Sequence, residues 1–134
     1  MTSEKKKERI KGRNIVKATM STDAYWQVNK KVARKLGLEA AVLLGDLLSK
    51  YDYHEDRGEL NKADEFFYTR EDMEKYTTLT RKMQEKGLRK LRNAKMIEQH
   101  TEGMPAKRMF KINFNEILEW MDTPDDEIEA DLDD

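Results

Sequence analysis

The stretch from residue 66 to residue 114, FFYTREDMEKYTTLTRKMQEKGLRKLRNAKMIEQHTEGMPAKRMFKINF, limits what this chain can fold into more than any other part of it. Its aromatic opening, residues 66–69, has the composition of a short strand. A short helix is expected over about residues 70–76, then a polar turn over residues 77–80. A strongly basic helix follows over about residues 81–94, with Thr80 as its best N-cap. Two β-rich runs, residues 97–101 and 109–114, close the stretch, and a loop with Gly103 and Pro105 joins them. In the second run Phe110, Ile112 and Phe114 alternate with Met109, Lys111 and Asn113, the period of two of a half-exposed strand.

Helix, tight turn, helix and hairpin, in that order, make a winged helix-turn-helix, whose second helix lies in the major groove of DNA. On a helical wheel Met83, Gly87, Leu91 and Ala94 share one quarter of the basic helix, with Leu88 beyond its edge. Arg81, Lys82, Glu85, Lys86, Arg89 and Arg92 take the other side, and Lys90 has to snorkel out from beside the apolar quarter. From Arg81 to Lys95 there are seven basic residues and one acid. An ordinary solvated face mixes signs, as the preceding helix does with Arg70, Glu71, Asp72, Glu74 and Lys75. Segregated charge of this kind suits phosphates and guanine edges.

Charge is also divided along the chain. Of 134 residues 40% are charged, yet the net charge is only −1. Residues 1–17 hold seven basic and two acidic groups, whereas residues 122–134 hold eight acidic groups and no basic one. The expected organisation is a basic flexible arm (1–18), a winged-helix domain (19–121) and a disordered acidic tail (122–134). Ile10, Ile15 and Val16 suit an edge strand or packing across a partner subunit, and the arm suits DNA phosphates or a solubilising terminus equally. With no cysteine there is no disulfide, zinc–thiolate or thiol chemistry. No apolar run reaches the length of a membrane span. A cytoplasmic protein is expected.

Ahead of the central stretch, Ser21 or Thr22 offers an N-cap for a helix with Tyr25, Val28, Val32 and Leu36 on one face, stopped at Gly37. A second helix from about Leu38 is apolar nearly all round between Ala40 and Leu48 and should be the buried centre. Gly45 within it implies close approach by another helix, and Trp26 and Tyr51 read as core or core-edge aromatics. Residues 53–64 read as a polar loop. Asn115 suits the cap of a closing helix over residues 116–121, and Pro124 ends structure. His54 beside Glu55 and Asp56 lacks a second ligand set, and His100 reads as wing surface, so neither metal nor cofactor is expected. No phosphate loop, nucleophile motif or preorganised carboxylate pair points to an enzyme.

Taken together, VNKKVARKLGLEAAVLLGDLLSKY, FFYT, TTLTRKMQEKGLRKLRNAKMI and GMPAKRMFKINF resemble, from about Tyr25 to Trp120, the N-terminal winged-helix domain of DnaD-like replisome organisers, initiators of phage and plasmid replication. The resemblance implies a mainly α fold with a small β-sheet, a winged helix-turn-helix with extra N- and C-terminal helices. It places Thr78, Thr80, Arg81, Lys82, Glu85 and Arg89 toward DNA, and Lys107 and Arg108 on the wing. Lys86, Arg92, Lys107 and Arg108 are expected to hold phosphates, while Glu85 accepts from cytosine or orients an arginine. Two departures matter: Lys95 closes the basic helix where such sequences often carry Gly, and no second domain follows the acidic tail. A copy of this kind is expected to regulate replication rather than initiate it. Expected partners are double-stranded DNA, a second copy of the chain and replication proteins, in the nucleoid of a bacterial cell. A homodimeric transcriptional repressor is the alternative within the binding class. An adaptor that recruits proteins through its winged fold and acidic tail is the alternative outside it.

Overall fold

The run of small and branched apolar residues from Ala40 to Leu47 builds the centre of the molecule. In the computed structural model, which describes residues 3–22 and 25–128, that run lies in helix α3 (Leu38–Asp56). In chain order the other elements are α1 (Ser3–Thr22), α2 (Lys30–Leu36), β1 (Glu65–Phe67), α4 (Arg70–Thr77), α5 (Arg81–Asn93), β2 (Ile97–Glu102), β3 (Lys107–Ile112) and α6 (Phe114–Asp122), followed by a 3₁₀ turn (Asp125–Glu127). The fold is mainly helical with one small antiparallel sheet, in a winged helix-turn-helix order. Ala40, Leu43 and Leu47 are fully buried because α2, α4, α5 and β3 all pack on α3. Truncating one of these leucines to Ala should cost about 2–5 kcal/mol.

The strands run in the order β1–β3–β2, with Phe66 opposite Phe110 and Ile97 opposite Ile112. Phe66, Phe110 and Ile112 point into the core, as the alternation requires. Phe114 does not join this face. It starts α6, is 42% exposed, and sets its ring edge-on against Tyr51 at 5.0 Å.

Several boundaries move for identifiable reasons. The first domain helix does not begin at Ser21 or Thr22, because Asn29 is the N-cap and its Oδ1 accepts from Val32 N–H at 3.1 Å. Residues 25–29 therefore lie outside any helix or strand, leaving Tyr25 and Val28 exposed and Trp26 at the surface with its indole N–H bonded to the Tyr76 carbonyl. This non-helical segment is also what approaches Gly45, since a Cβ there would collide with the Gln27 carbonyl. The close helix–helix crossing lies elsewhere, at Gly87, where a Cβ would sit 2.6 Å from Leu43 Cδ1 and 3.1 Å from the Ala40 nitrogen.

Both ends of the chain depart from expectation where they are described. Residues 3–20 form an exposed helix, not an edge strand. Its Lys, Arg and Glu residues are good helix formers, and Glu4–Lys7 and Glu8–Lys11 stand at favourable i,i+3 spacing. At the other end structure continues past Pro124. Lys31 Nζ donates to the carbonyls of Trp120, Met121 and Thr123, holding the end of α6, and Arg34 pairs with Asp125 at 3.0 Å. That guanidinium pulls the Asp125 carboxyl below its ordinary value. Asp125 thus engages α2 through both cations. Residues 129–134 of the expected tail lie outside the described residues.

Candidate nucleic-acid interface

Local hydrogen bonds hold the helix-turn-helix in shape. Thr69 caps α4 through Asp72 N–H, and Thr80 caps α5 through Met83 N–H. Between them Thr78 takes a left-handed conformation at φ 65°, uncommon for a β-branched residue, and its N–H bonds the Glu74 carbonyl at 2.7 Å. Gln84 completes the corner. Its Nε2 donates to the carbonyls of Arg70 and Leu79, which pins α5 against both ends of the preceding unit.

Gln84 also corrects the helical wheel. The docking face of α5 consists of Gln84, Gly87, Leu88 and Leu91, whereas Met83 is 43% exposed. Lys90 is buried rather than turned out, with its Nζ beside the Gly37 position at the α2–α3 junction. Rotating the docking face in this way leaves the opposite side cationic. Thr78, Thr80, Arg81, Lys82, Glu85 and Arg92 are exposed, and Lys86 and Arg89 half-buried. Arg81 and Glu85 pair along the exposed helix surface at 3.3 Å.

The wing separates the two residues expected to act together. Lys107 is exposed at the start of β3, with its Nζ 5.7 Å from the centre of the Phe67 ring. Arg108 is not at the wing tip. It shares the inner face of β3 with Phe110 and Ile112, is only 8% exposed, and donates from Nε to the Tyr68 carbonyl at 2.9 Å. Loss of water lowers its pKa to about 10, with the nearby Arg70 charge contributing. The tip itself is the Gly103–Ala106 region, where Met104 is fully exposed.

Arg108 reaches a cavity of about 310 Å³ between α4, α5 and the sheet, walled by Arg70, Glu85, Leu88, Arg89, Arg92, Gln99 and Arg108. Arg92 is held there by a 2.8 Å bond to Gln99 Oε1. Arg70 and Gln99 were not among the sequence candidates. On the sheet's outer face a second group escaped notice: His100 lies 3.1 Å from both Glu65 and Glu102, a spacing at which the three side chains suit a cation. Only strand pairing unites them, because Glu65 belongs to β1 and the other two to β2. Imidazole–carboxylate pairing accounts for these distances by itself. Among the described residues no helix is long and apolar enough to cross a membrane.

No protein-family model and no curated protein sequence matches the chain. Solved structures do match its fold. One, described as the N-terminal domain of a DNA binding protein, aligns with a TM-score of 0.58 at 11% identity, over 78% of this chain and 88% of its own. Another, a Rep–DNA complex, aligns at 0.57 and 11% identity, over 80% of this chain and 95% of its own.

Proposed function

We infer that the chain is a non-enzymatic, sequence-specific binder of double-stranded DNA that lays α5 in the major groove and acts in initiating phage or plasmid replication, or in controlling it. The observation that carries this is the uncovered cationic side of α5, where Arg81, Lys82 and Arg92 face solvent from a helix whose other side is docked. The caps at Thr69 and Thr80 and the Gln84 bonds fix that helix before any ligand arrives, so little ordering cost falls on binding. Two structural neighbours of similar fold, one a DNA binding protein's N-terminal domain and the other a Rep–DNA complex, support the assignment and its replication context.

Arg81, Lys82 and Arg89 reach toward base edges, and Lys86, Arg92 and Lys107 hold phosphates. A selection from random duplexes at low salt tests the reading. If Arg89 reads a base, Arg89→Ala weakens the selected site by about 1–3 kcal/mol and leaves random duplexes unaffected. Equal loss on every sequence makes Arg89 a phosphate contact, and failure to enrich any sequence removes specificity from the account. A homodimeric repressor is the second reading. It is favoured by Leu118, 62% exposed on the closing helix, and by the exposed Ile15 and Val16 of α1. Footprints over a promoter palindrome would favour it, and footprints over origin repeats would not.

A further inference from the structure

The cavity between the basic helix and the sheet gathers guanidinium groups from three different elements: Arg70 from the start of α4, Arg89 and Arg92 from α5, and Arg108 from the inner face of β3. Such a gathering has an electrostatic cost, and the Arg70 charge depresses the Arg108 pKa as burial does. Glu71 nearby offsets part of that cost at Arg108. Among the described residues, no carboxylate forms an ion pair with Arg70, Arg92 or Arg108. Glu85, the one acid lining the cavity, is engaged by Arg81 on the helix surface.

Two of the guanidinium groups are also anchored by the fold. Arg108 is anchored through Nε on the Tyr68 carbonyl, which leaves the far end of its fork toward Met73 and the cavity. Arg92 is tied to Gln99 on β2. Planar forks held from several sides around one space are the arrangement that grips a tetrahedral oxyanion. A carboxylate would satisfy fewer of these donors.

We propose that this cavity is a phosphate socket in which Arg70, Arg92 and Arg108 grip a single phosphate group, supplied by the backbone of a bound duplex or by a free nucleotide or inorganic phosphate. Only the duplex source rests on the DNA-binding reading. If that source is right, Arg108 serves DNA from beneath the recognition helix and not from the wing tip.

Two measurements on the full chain test the proposal. In the first, arginine Nε–H resonances are followed while inorganic phosphate, and separately ATP, replaces chloride at constant ionic strength. Saturable shifts at Arg92 and Arg108, weakened about tenfold by Arg70→Gln, support the socket. In the second, a selected duplex carries one neutral methylphosphonate at a time. A single position whose neutralisation weakens the native protein about tenfold, yet hardly affects Arg70→Gln, supports the backbone as source. Saturable shifts without such a position support a free anion. Absence of both effects, with native-like folding of Arg70→Gln and Arg92→Gln, overturns the socket, while binding that still depends on Arg81 and Lys82 leaves the DNA reading standing. If no duplex binds at all, the DNA reading fails and the phosphate titration decides the socket by itself.

Discussion

Lys95 ends helix α5 in a left-handed conformation at φ 62°, the turn that Gly usually makes. The αL turn is thus made without the Gly that similar sequences often carry there. Met96 N–H bonds the Leu91 carbonyl at 3.0 Å and Lys95 N–H bonds the Arg92 carbonyl at 2.9 Å, while Asn113 holds the Lys95 carbonyl from the start of α6. A side chain in this conformation is disfavoured, so Lys95→Gly should stabilise the fold by about 1 kcal/mol in chemical denaturation; no gain would mean that the Lys95 side chain contributes contacts that offset the strain. Asp46 offers a pH test. Burial raises its pKa, with the 2.5 Å bond from Tyr68 Oη and the charge of Lys50 opposing. The folded protein therefore binds the extra proton between an ordinary carboxylate value and the raised one, and stability contributed at this site falls as pH rises through that window. Asp46→Asn removes the effect and keeps an acceptor for Tyr68. Its unfolding free energy relative to the native protein should rise from pH 4 to pH 7, whereas a constant difference would contradict a raised pKa.

At the scale of elements, α5 depends on a glycine more than on its helix formers. Ala is a better helix residue than Gly by about 1 kcal/mol, but at position 87 the methyl would meet Leu43 and the backbone of Ala40 and Glu39. Gly87→Ala should therefore destabilise the protein by about 1–3 kcal/mol in thermal or denaturant unfolding, and a stabilised variant would place α5 farther from α3. Much of this architecture was legible in the sequence because it is local: the Thr80 cap, the apolar run of α3, the order helix, turn, helix and hairpin. What failed depended on distant partners. A wheel scores Met83 as core because it is apolar, yet Gln84 wins the buried place by reaching the carbonyls of Arg70 and Leu79. Arg108 carried a usable signal, since it stands two residues before Phe110 and so shares the inner face, but its charge suggested solvent. Nothing local marks Glu65 as a neighbour of His100, or Arg70 as a neighbour of Arg108.

Across the whole molecule, the balance of charge hides strong local fields. The exposed basic helix α1 and the cationic side of α5 both face solvent, while Asp125 of the acidic end is held by Arg34 and Lys31 on α2. The central claim is that an outward-facing cationic helix binds duplex DNA, and its most direct test is the salt dependence of duplex affinity by fluorescence anisotropy, measured alongside Arg81→Gln/Lys82→Gln. With roughly six phosphates engaged, affinity should fall about 10³-fold between 50 and 200 mM salt, and the double variant should show weaker binding and a shallower slope. Affinity indifferent to salt, or no binding even at the lowest concentration, would contradict it.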